Sequence, residues 1–177
     1  NPNVKEFLDN LPHKTLEESE LHMFFLEYEK DYNTLVKRLN EVIPYLKSWV
    51  ETDPFNNKYL KKHLDEYYFE IKKWAYSDLP YVRRFAISQL MSYYLDSEFK
   101  KEHLEFVSTV KIDNEYYVMM MVAWYYATAL AKQYSDTINF LVNCNIDKDT
   151  FNMIIKKACE SYRITDEQKI YLKSLKK

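Results

Sequence analysis

Apolar and polar positions alternate with a helical period along most of the chain. Thr15 and Glu18, and again Thr165 and Gln168, have the spacing of a capping box, in which side chains at both positions bond the backbone at a helix start. The first box precedes apolar residues that recur at intervals of three and four, as on one side of an amphipathic helix. These residues are Leu21, Phe24, Phe25 and Tyr28. The pattern therefore predicts one helix after Thr15 and a short last helix after Thr165.

Prolines mark further helix boundaries. Pro44 and Pro80 suit the first turn of a helix, where the missing N–H is not needed. Pro54 predicts the end of the helix that carries Trp49, because the residue before a proline is driven out of the helical region. A long helix is predicted from about residue 57 to residue 76.

Helix starts also recur at a nearly constant interval. They stand 36, 35 and 35 residues apart, at Pro44, Pro80, Glu115 and Thr150. A period of this length without strand signals is typical of solenoids built from helix pairs. We therefore predict an all-α protein, a curved α-solenoid of HEAT-like helical repeats, that forms a single domain over residues 1–177 and offers a concave face.

The 177 residues include no glycine. This excludes dinucleotide-binding and phosphate-binding glycine loops, whose backbone conformations only glycine adopts. It also excludes the glycine-flanked nucleophile elbow and disfavours tight hairpins, and thus a strand-rich fold.

Charge is balanced overall but unevenly distributed. There are 25 basic and 27 acidic residues, yet residues 148–177 hold eight basic against four acidic side chains. Lys156, Lys157 and Arg163 in this region are candidate phosphate contacts, although a solvated helical face explains the same count equally well.

The sequence predicts no membrane span and no metal or cofactor. Its longest uncharged run, residues 116–131, is shorter than the roughly 20 residues that cross a bilayer and reads as a central buried helix. Cys144 and Cys159 match no zinc pattern, so we expect reduced thiols and a cytoplasmic protein. His13 and His22 match no common metal spacing.

Trp49 and Asp53 stand one helical turn apart, so they share a side of one helix near its C-terminal end. A carboxylate is electrostatically disfavoured there. One interpretation is that an aromatic ring and an anion together face a cationic ligand. The other is that Trp49 belongs to the core and Asp53 to a turn.

Arg83 and Arg84 follow Pro80 near a predicted helix start and form a candidate phosphate clamp. The alternative is a structural salt bridge to Asp53 or Asp78.

Two further tryptophans lie within predicted helices. Trp74 is predicted to be core. Trp124 lies in the most apolar helix, where core packing is the commoner role, and the neighbouring Tyr125 and Tyr126 then line the groove in its place.

Several stretches of the chain resemble the DNA alkylation repair (HEAT-like repeat) family, and especially a divergent subgroup of it. They are residues 11–13 with 17–18 and 21–22, then 49–53, 81–86, 116–132 and 160–165. Members usually begin with further helices, so we expect that this chain, which starts at Asn1, lacks N-terminal helices of a longer parent.

The resemblance implies a protein that binds duplex DNA in its concave face and excises N3- or N7-alkylated purines without metal or cofactor. The family's W-x-x-x-D motif falls on Trp49 and Asp53, its arginine on Arg83 or Arg84, and its second tryptophan on Trp124. In the divergent subgroup, non-catalytic binding of branched or distorted DNA is the suggested role. A third hypothesis, allowed by the weak net charge, is a protein-binding scaffold. We expect a monomer.

Overall fold

The computed structural model describes residues 2–177, and within them it contains helices and no β-strand. The α-helices are α1 (Pro2–Asp9), α2 (Leu16–Leu26), α3 (Tyr32–Val42), α4 (Trp49–Thr52), α5 (Leu64–Ala75), α6 (Pro80–Tyr93), α7 (Lys101–Ser108), α8 (Tyr116–Lys132), α9 (Tyr134–Asn143), α10 (Lys148–Glu160) and α11 (Asp166–Ser174). Two short 3-10 helices, η1 and η2, span Ile43–Tyr45 and Lys58–Lys62. The all-α prediction is confirmed, and the solenoid arrangement stays a prediction.

The chain divides into two compact units. The N-terminal unit ends at Ala86, and the C-terminal unit spans Ile87–Lys177. The prediction of a single domain over the whole chain is not tested by this division. None of the helices within residues 2–177 has the length and apolar character that crossing a bilayer requires.

Both predicted capping boxes are present. The Thr15 hydroxyl accepts a hydrogen bond from the Glu18 N–H at 3.2 Å, and the Glu18 carboxylate accepts one from the Thr15 N–H at 3.2 Å. Thr165 and Gln168 make the same reciprocal pair at 3.2 and 3.0 Å. These local signals were sufficient to place the starts of α2 and α11.

The buried side of α2 is not the side that the apolar spacing predicted. Leu21, Phe24 and Tyr28 are exposed. The buried residues of the helix have the same spacing but are shifted along it, at Ser19, His22, Met23 and Leu26. Because apolar residues lie on both sides of α2, its packing against α3 and α4 decides which side is covered.

Two predicted helices are interrupted. The helix expected to start at Pro44 is only η1, and the chain turns to extended conformation at Leu46 before α4 begins. The helix expected over residues 57–76 is divided at His63, whose φ of -135° and ψ of 29° are not helical, into η2 and α5. The end of the Trp49 helix before Pro54 is confirmed, since α4 stops at Thr52.

The C-terminal unit is built around α8, the helix predicted to be central and buried. Val118, Met121 and Val122, among other residues of this helix, are buried, and α8 packs against α9 and α10. The start of α8 lies one residue after the predicted Glu115, which is the N-cap residue and makes no side-chain capping bond. Helix α10 starts at Lys148, two residues before the predicted Thr150.

The turn before α8 requires left-handed backbone in a chain without glycine. Asp113 and Asn114 have positive φ angles of 49° and 61°. Aspartate and asparagine tolerate this region best among residues with a Cβ atom, because their short polar side chains can hydrogen-bond locally. These two residues thus replace the glycine that such a turn usually contains.

An aromatic cluster connects α1 to α2. His13 Nε2 and His22 Nδ1 share a hydrogen bond of 2.8 Å, and the Phe7 ring stacks on His13 with centroids 4.6 Å apart. His22 is fully buried. Burial, together with the charges of His13 and Arg38, lowers the pKa of His22 to about 4.

We expect this cluster to make the fold sensitive to acid. A histidine in the unfolded chain has a pKa of about 6.5. Between that pH and about pH 4, the unfolded chain therefore binds a proton at this position, whereas His22 in the folded protein stays neutral. The free energy of unfolding therefore falls as the pH drops through this interval. His22→Gln keeps a polar partner for His13 without titrating, so it should reduce the loss of stability between about pH 7 and about pH 5, measured as urea midpoints.

The matched control is His63→Gln, since the ring of His63 is partly exposed. This control should keep the pH dependence of the wild type. An undiminished pH dependence in His22→Gln would assign the acid sensitivity to other groups.

Candidate functional site

A carboxylate and a guanidinium are paired in the N-terminal unit. Arg84 Nε donates to Asp53 Oδ1 at 2.9 Å, and Arg84 Nη2 donates to Oδ2 at 2.5 Å. Two parallel bonds of this kind fix a carboxylate in both position and orientation. The side chains of Asp53 and Arg84 are only 11% and 7% exposed, so little water competes for the pair.

A neighbouring hydroxyl completes the setting of the carboxylate. Thr52 Oγ1 donates to Asp53 Oδ1 at 2.9 Å, and Thr52 itself is buried. Of the two salt bridges considered as alternatives for the arginine pair, the one between Arg84 and Asp53 is therefore present.

Trp49 is exposed beside this ion pair. Asp53 follows the last residue of α4 and lies one turn after Trp49, and its backbone N–H donates to the Trp49 carbonyl at 3.0 Å. Trp49 is 52% exposed, so the interpretation of this residue as core is wrong. The arrangement presents an accessible indole one turn from a fixed anion.

Local hydrogen bonds stabilise the start of α4 at Trp49. Ser48 caps the helix by accepting from the Val50 N–H at 3.2 Å, and the buried Glu51 carboxylate accepts from the Lys47 N–H at 2.8 Å. Ser48 followed three positions later by Glu51 is a capping-box spacing. This spacing is a sequence signal for a helix that starts at Trp49, instead of the predicted start at Pro44.

Arg83 binds a backbone carbonyl. Its Nη1 donates to the Ser77 carbonyl at 2.9 Å, just before α6. Arg83 and Arg84 are both buried, so the structure does not display them as the open phosphate clamp that the sequence predicted. Contact of either arginine with a phosphate stays a prediction.

The assignment of Trp124, in the C-terminal unit, changes. Trp124 is 46% exposed, whereas Tyr125 and Tyr126 are fully buried. The expectation of a core Trp124 with the two tyrosines lining a groove is therefore reversed. Tyr117, two turns before Trp124 on α8, is also exposed and was not singled out in the sequence. In the N-terminal unit, Trp74 is core as predicted, and its indole N–H donates to Asn40 Oδ1 at 2.8 Å.

The basic residues predicted near the C-terminus differ in their surroundings. Lys156 is exposed on α10, and Lys157 forms a 3.0 Å salt bridge with Glu160. The guanidinium of Arg163 lies 5.8 Å from the ring centroid of the exposed Tyr162. Their role as phosphate contacts stays a prediction.

Residues 2–177 also include histidine, cysteine and acidic side chains, which are common ligands of metal ions. No group of three or more histidine, cysteine, aspartate or glutamate side chains there could hold a metal ion.

The chain matches a known protein family. A family model described as "DNA alkylation repair enzyme" matches residues 4–162, a stretch that includes Trp49, Asp53, Arg84 and Trp124. No curated protein and no solved structure gives a significant match to the chain.

Proposed function

The chain belongs to the DNA alkylation repair enzyme family, which gives it a role in DNA alkylation repair, and from that premise we propose that it is a DNA glycosylase. Its substrate is duplex DNA that contains N3- or N7-alkylated purines, and it acts without a metal or cofactor. The observation that carries this proposal is the exposed Trp49 next to an Asp53 carboxylate that Arg84 holds by two hydrogen bonds.

The proposed reaction is hydrolysis of the N-glycosidic bond. An alkylated purine is cationic, so it leaves readily and takes the bonding electron pair, which neutralises its charge. Positive charge then develops on the deoxyribose, and the fixed carboxylate of Asp53 stabilises it electrostatically. Water adds to C1′ with Asp53 as the base that accepts its proton, and the products are a free base and an abasic site.

The remaining residues have supporting roles in this proposal. The Trp49 ring packs against the deoxyribose and attracts its developing positive charge through the face of the indole. Trp124 supplies a second exposed aromatic contact to DNA. Arg84 is a positioning residue, because its guanidinium is committed to Asp53. Lys156, Lys157 and Arg163 contact phosphates.

The direct test is incubation of the protein with duplex DNA that contains 7-methylguanine. We expect release of free 7-methylguanine, measured by chromatography, with an equal yield of abasic sites, measured by alkaline strand cleavage. A protein that binds this duplex and releases no base would overturn the glycosylase proposal.

One observation favours a second candidate, non-catalytic binding of branched or distorted DNA. Arg84 and Thr52 already occupy three hydrogen-bonding positions of the Asp53 carboxylate, and little of that side chain is exposed. In this case the protein should bind a four-way junction more tightly than a linear duplex of the same length, and Asp53→Asn should leave that preference unchanged.

A further inference from the structure

Four exposed lysines form a cluster in the N-terminal unit. Three of them lie on η2 and the fourth in the loop between α2 and α3, and together we call them the lysine cluster: Lys58, Lys61, Lys62 and Lys30. Within residues 2–177, none of the four has a carboxylate at salt-bridge distance. Three of the four lysines stand within five consecutive residues of the sequence.

A buried asparagine holds the two segments of the cluster together. Asn57 Nδ2 donates to the Leu26 and Glu29 carbonyls at 2.8 and 2.7 Å, and Asn57 Oδ1 accepts from the Tyr59 N–H at 2.8 Å. Asn57 is fully buried. The loop that carries Lys30 is therefore fixed against the start of η2, so the position of the cluster is set by the fold.

Two lysines of the cluster lie over one aromatic ring. The ammonium groups of Lys30 and Lys58 lie 5.8 and 5.2 Å from the centroid of the Tyr59 ring. Side chains three residues apart on a 3-10 helix point the same way, so Lys61 projects on the same side as Lys58. The face of the Tyr59 ring attracts the ammonium groups of Lys30 and Lys58 and so offsets part of their mutual repulsion.

Nearby carboxylates are engaged elsewhere. Glu29 Oε1 accepts from the Lys30 and Asp31 N–H groups at 2.7 and 2.9 Å, and Asp31 Oδ1 caps α3 through the Thr34 N–H at 2.8 Å. Glu66 lies 3.7 Å from His63 Nδ1. None of these carboxylates lies at salt-bridge distance from a lysine of the cluster, so the ammonium groups are accessible to an anionic partner from outside the chain.

Distance along the chain connects the cluster to Asp53. Lys58 follows Asp53 by five residues, so their Cα atoms are at most about 18 Å apart. At about 3.4 Å per base pair this corresponds to about five base pairs of duplex. This distance allows one bound duplex to contact both Asp53 and Lys58.

We infer that the lysine cluster binds backbone phosphates of the DNA duplex whose damaged nucleotide is processed at Asp53. This is a second phosphate-binding region, distinct from Lys156, Lys157 and Arg163. The inference rests on the proposed function for the position of the DNA, and it adds where that DNA is held.

The test compares two triple variants in duplex binding at several salt concentrations, measured by fluorescence anisotropy with an unmodified duplex. In the first, Lys58→Gln, Lys61→Gln and Lys62→Gln are combined. In the second, a control with the same change in charge and in the same unit, Lys5→Gln, Lys37→Gln and Lys73→Gln are combined; two of these lysines lie by carboxylates, Lys37 by Glu41 and Lys73 by Glu70.

Each lost phosphate contact lowers the slope of log K against log salt by about 0.9. We therefore expect the cluster variant to lose about 2 to 3 units of slope and the control to lose less than about 1. Base release from a 7-methylguanine duplex should proceed at the wild-type rate in the control variant, because its three lysines lie outside both the cluster and the Trp49, Asp53 and Arg84 site.

Equal slopes in the cluster variant and the control would overturn the inference, even if base release is observed. If the wild type binds with a steep slope that only the cluster variant loses, the inference stands, and base release then decides the glycosylase proposal separately.

Discussion

Asp53→Asn should lower the rate of base release by about 100-fold or more while it leaves the affinity for duplex DNA close to that of the wild type. Removing one group that is aimed at developing charge costs about 100- to 1,000-fold in rate in other enzymes. Asparagine keeps the shape of the side chain and loses its charge, so the change removes the electrostatic stabilisation of the sugar cation. The measurement is a single-turnover rate on duplex DNA that contains 7-methylguanine.

Asp65→Asn is the matched control, since Asp65 is exposed on α5. This variant should release base at the wild-type rate. Loss of the carboxylate also leaves Arg84 without its charged partner, so thermal unfolding must accompany the assay, which is run below the midpoint of the variant. A folded Asp53→Asn variant with nearly wild-type base release would remove Asp53 from the chemistry.

The parts of the fold that the sequence predicted correctly are those set by neighbouring residues. The capping boxes at Thr15 and Thr165 join residues three positions apart, so their geometry is local. The start of α6 at Pro80 follows from the fixed proline backbone in the same way. The buried side of α2 could not be predicted, because both of its sides carry apolar residues and contacts with α3 and α4 select between them.

The candidate site shows the same division. The spacing of Trp49 and Asp53 on one turn is a local property and was predicted, as was an exposed role for Trp49 as one of two interpretations. Arg84 is 31 residues away from Asp53, and the sequence alone leaves both Asp53 and Asp78 open as partners. Only the packing of the N-terminal unit selects between them.

Long-range side-chain bonds explain what the sequence could not show. The lysine cluster depends on Asn57, whose amide reaches the Glu29 carbonyl across 28 positions of the chain. A single asparagine in a sequence carries no sign that its amide will bridge two backbone segments. The density of lysines in the sequence identifies η2, whereas the position of Lys30 beside η2 depends on this hydrogen bond.

Arg84→Gln should lower the free energy of unfolding by about 3 to 5 kcal/mol, because it leaves the nearly buried Asp53 carboxylate without a counter-charge. Arg84→Lys keeps the charge but cannot make the two parallel bonds, so an intermediate loss is expected. The measurement is urea unfolding followed by circular dichroism. A phosphate clamp predicts a different result, namely weaker DNA binding, a salt slope reduced by about 0.9 and nearly unchanged stability.

The double variant Asp53→Leu with Arg84→Met separates folding from chemistry. Replacing both charges with apolar groups of similar volume leaves neither charge uncompensated, so much of the stability lost in Arg84→Gln should return. Base release should remain absent, since the carboxylate is gone. If Arg84→Gln unfolds at the wild-type urea concentration, the guanidinium does not anchor Asp53, and the arginine is then better explained as a contact to DNA.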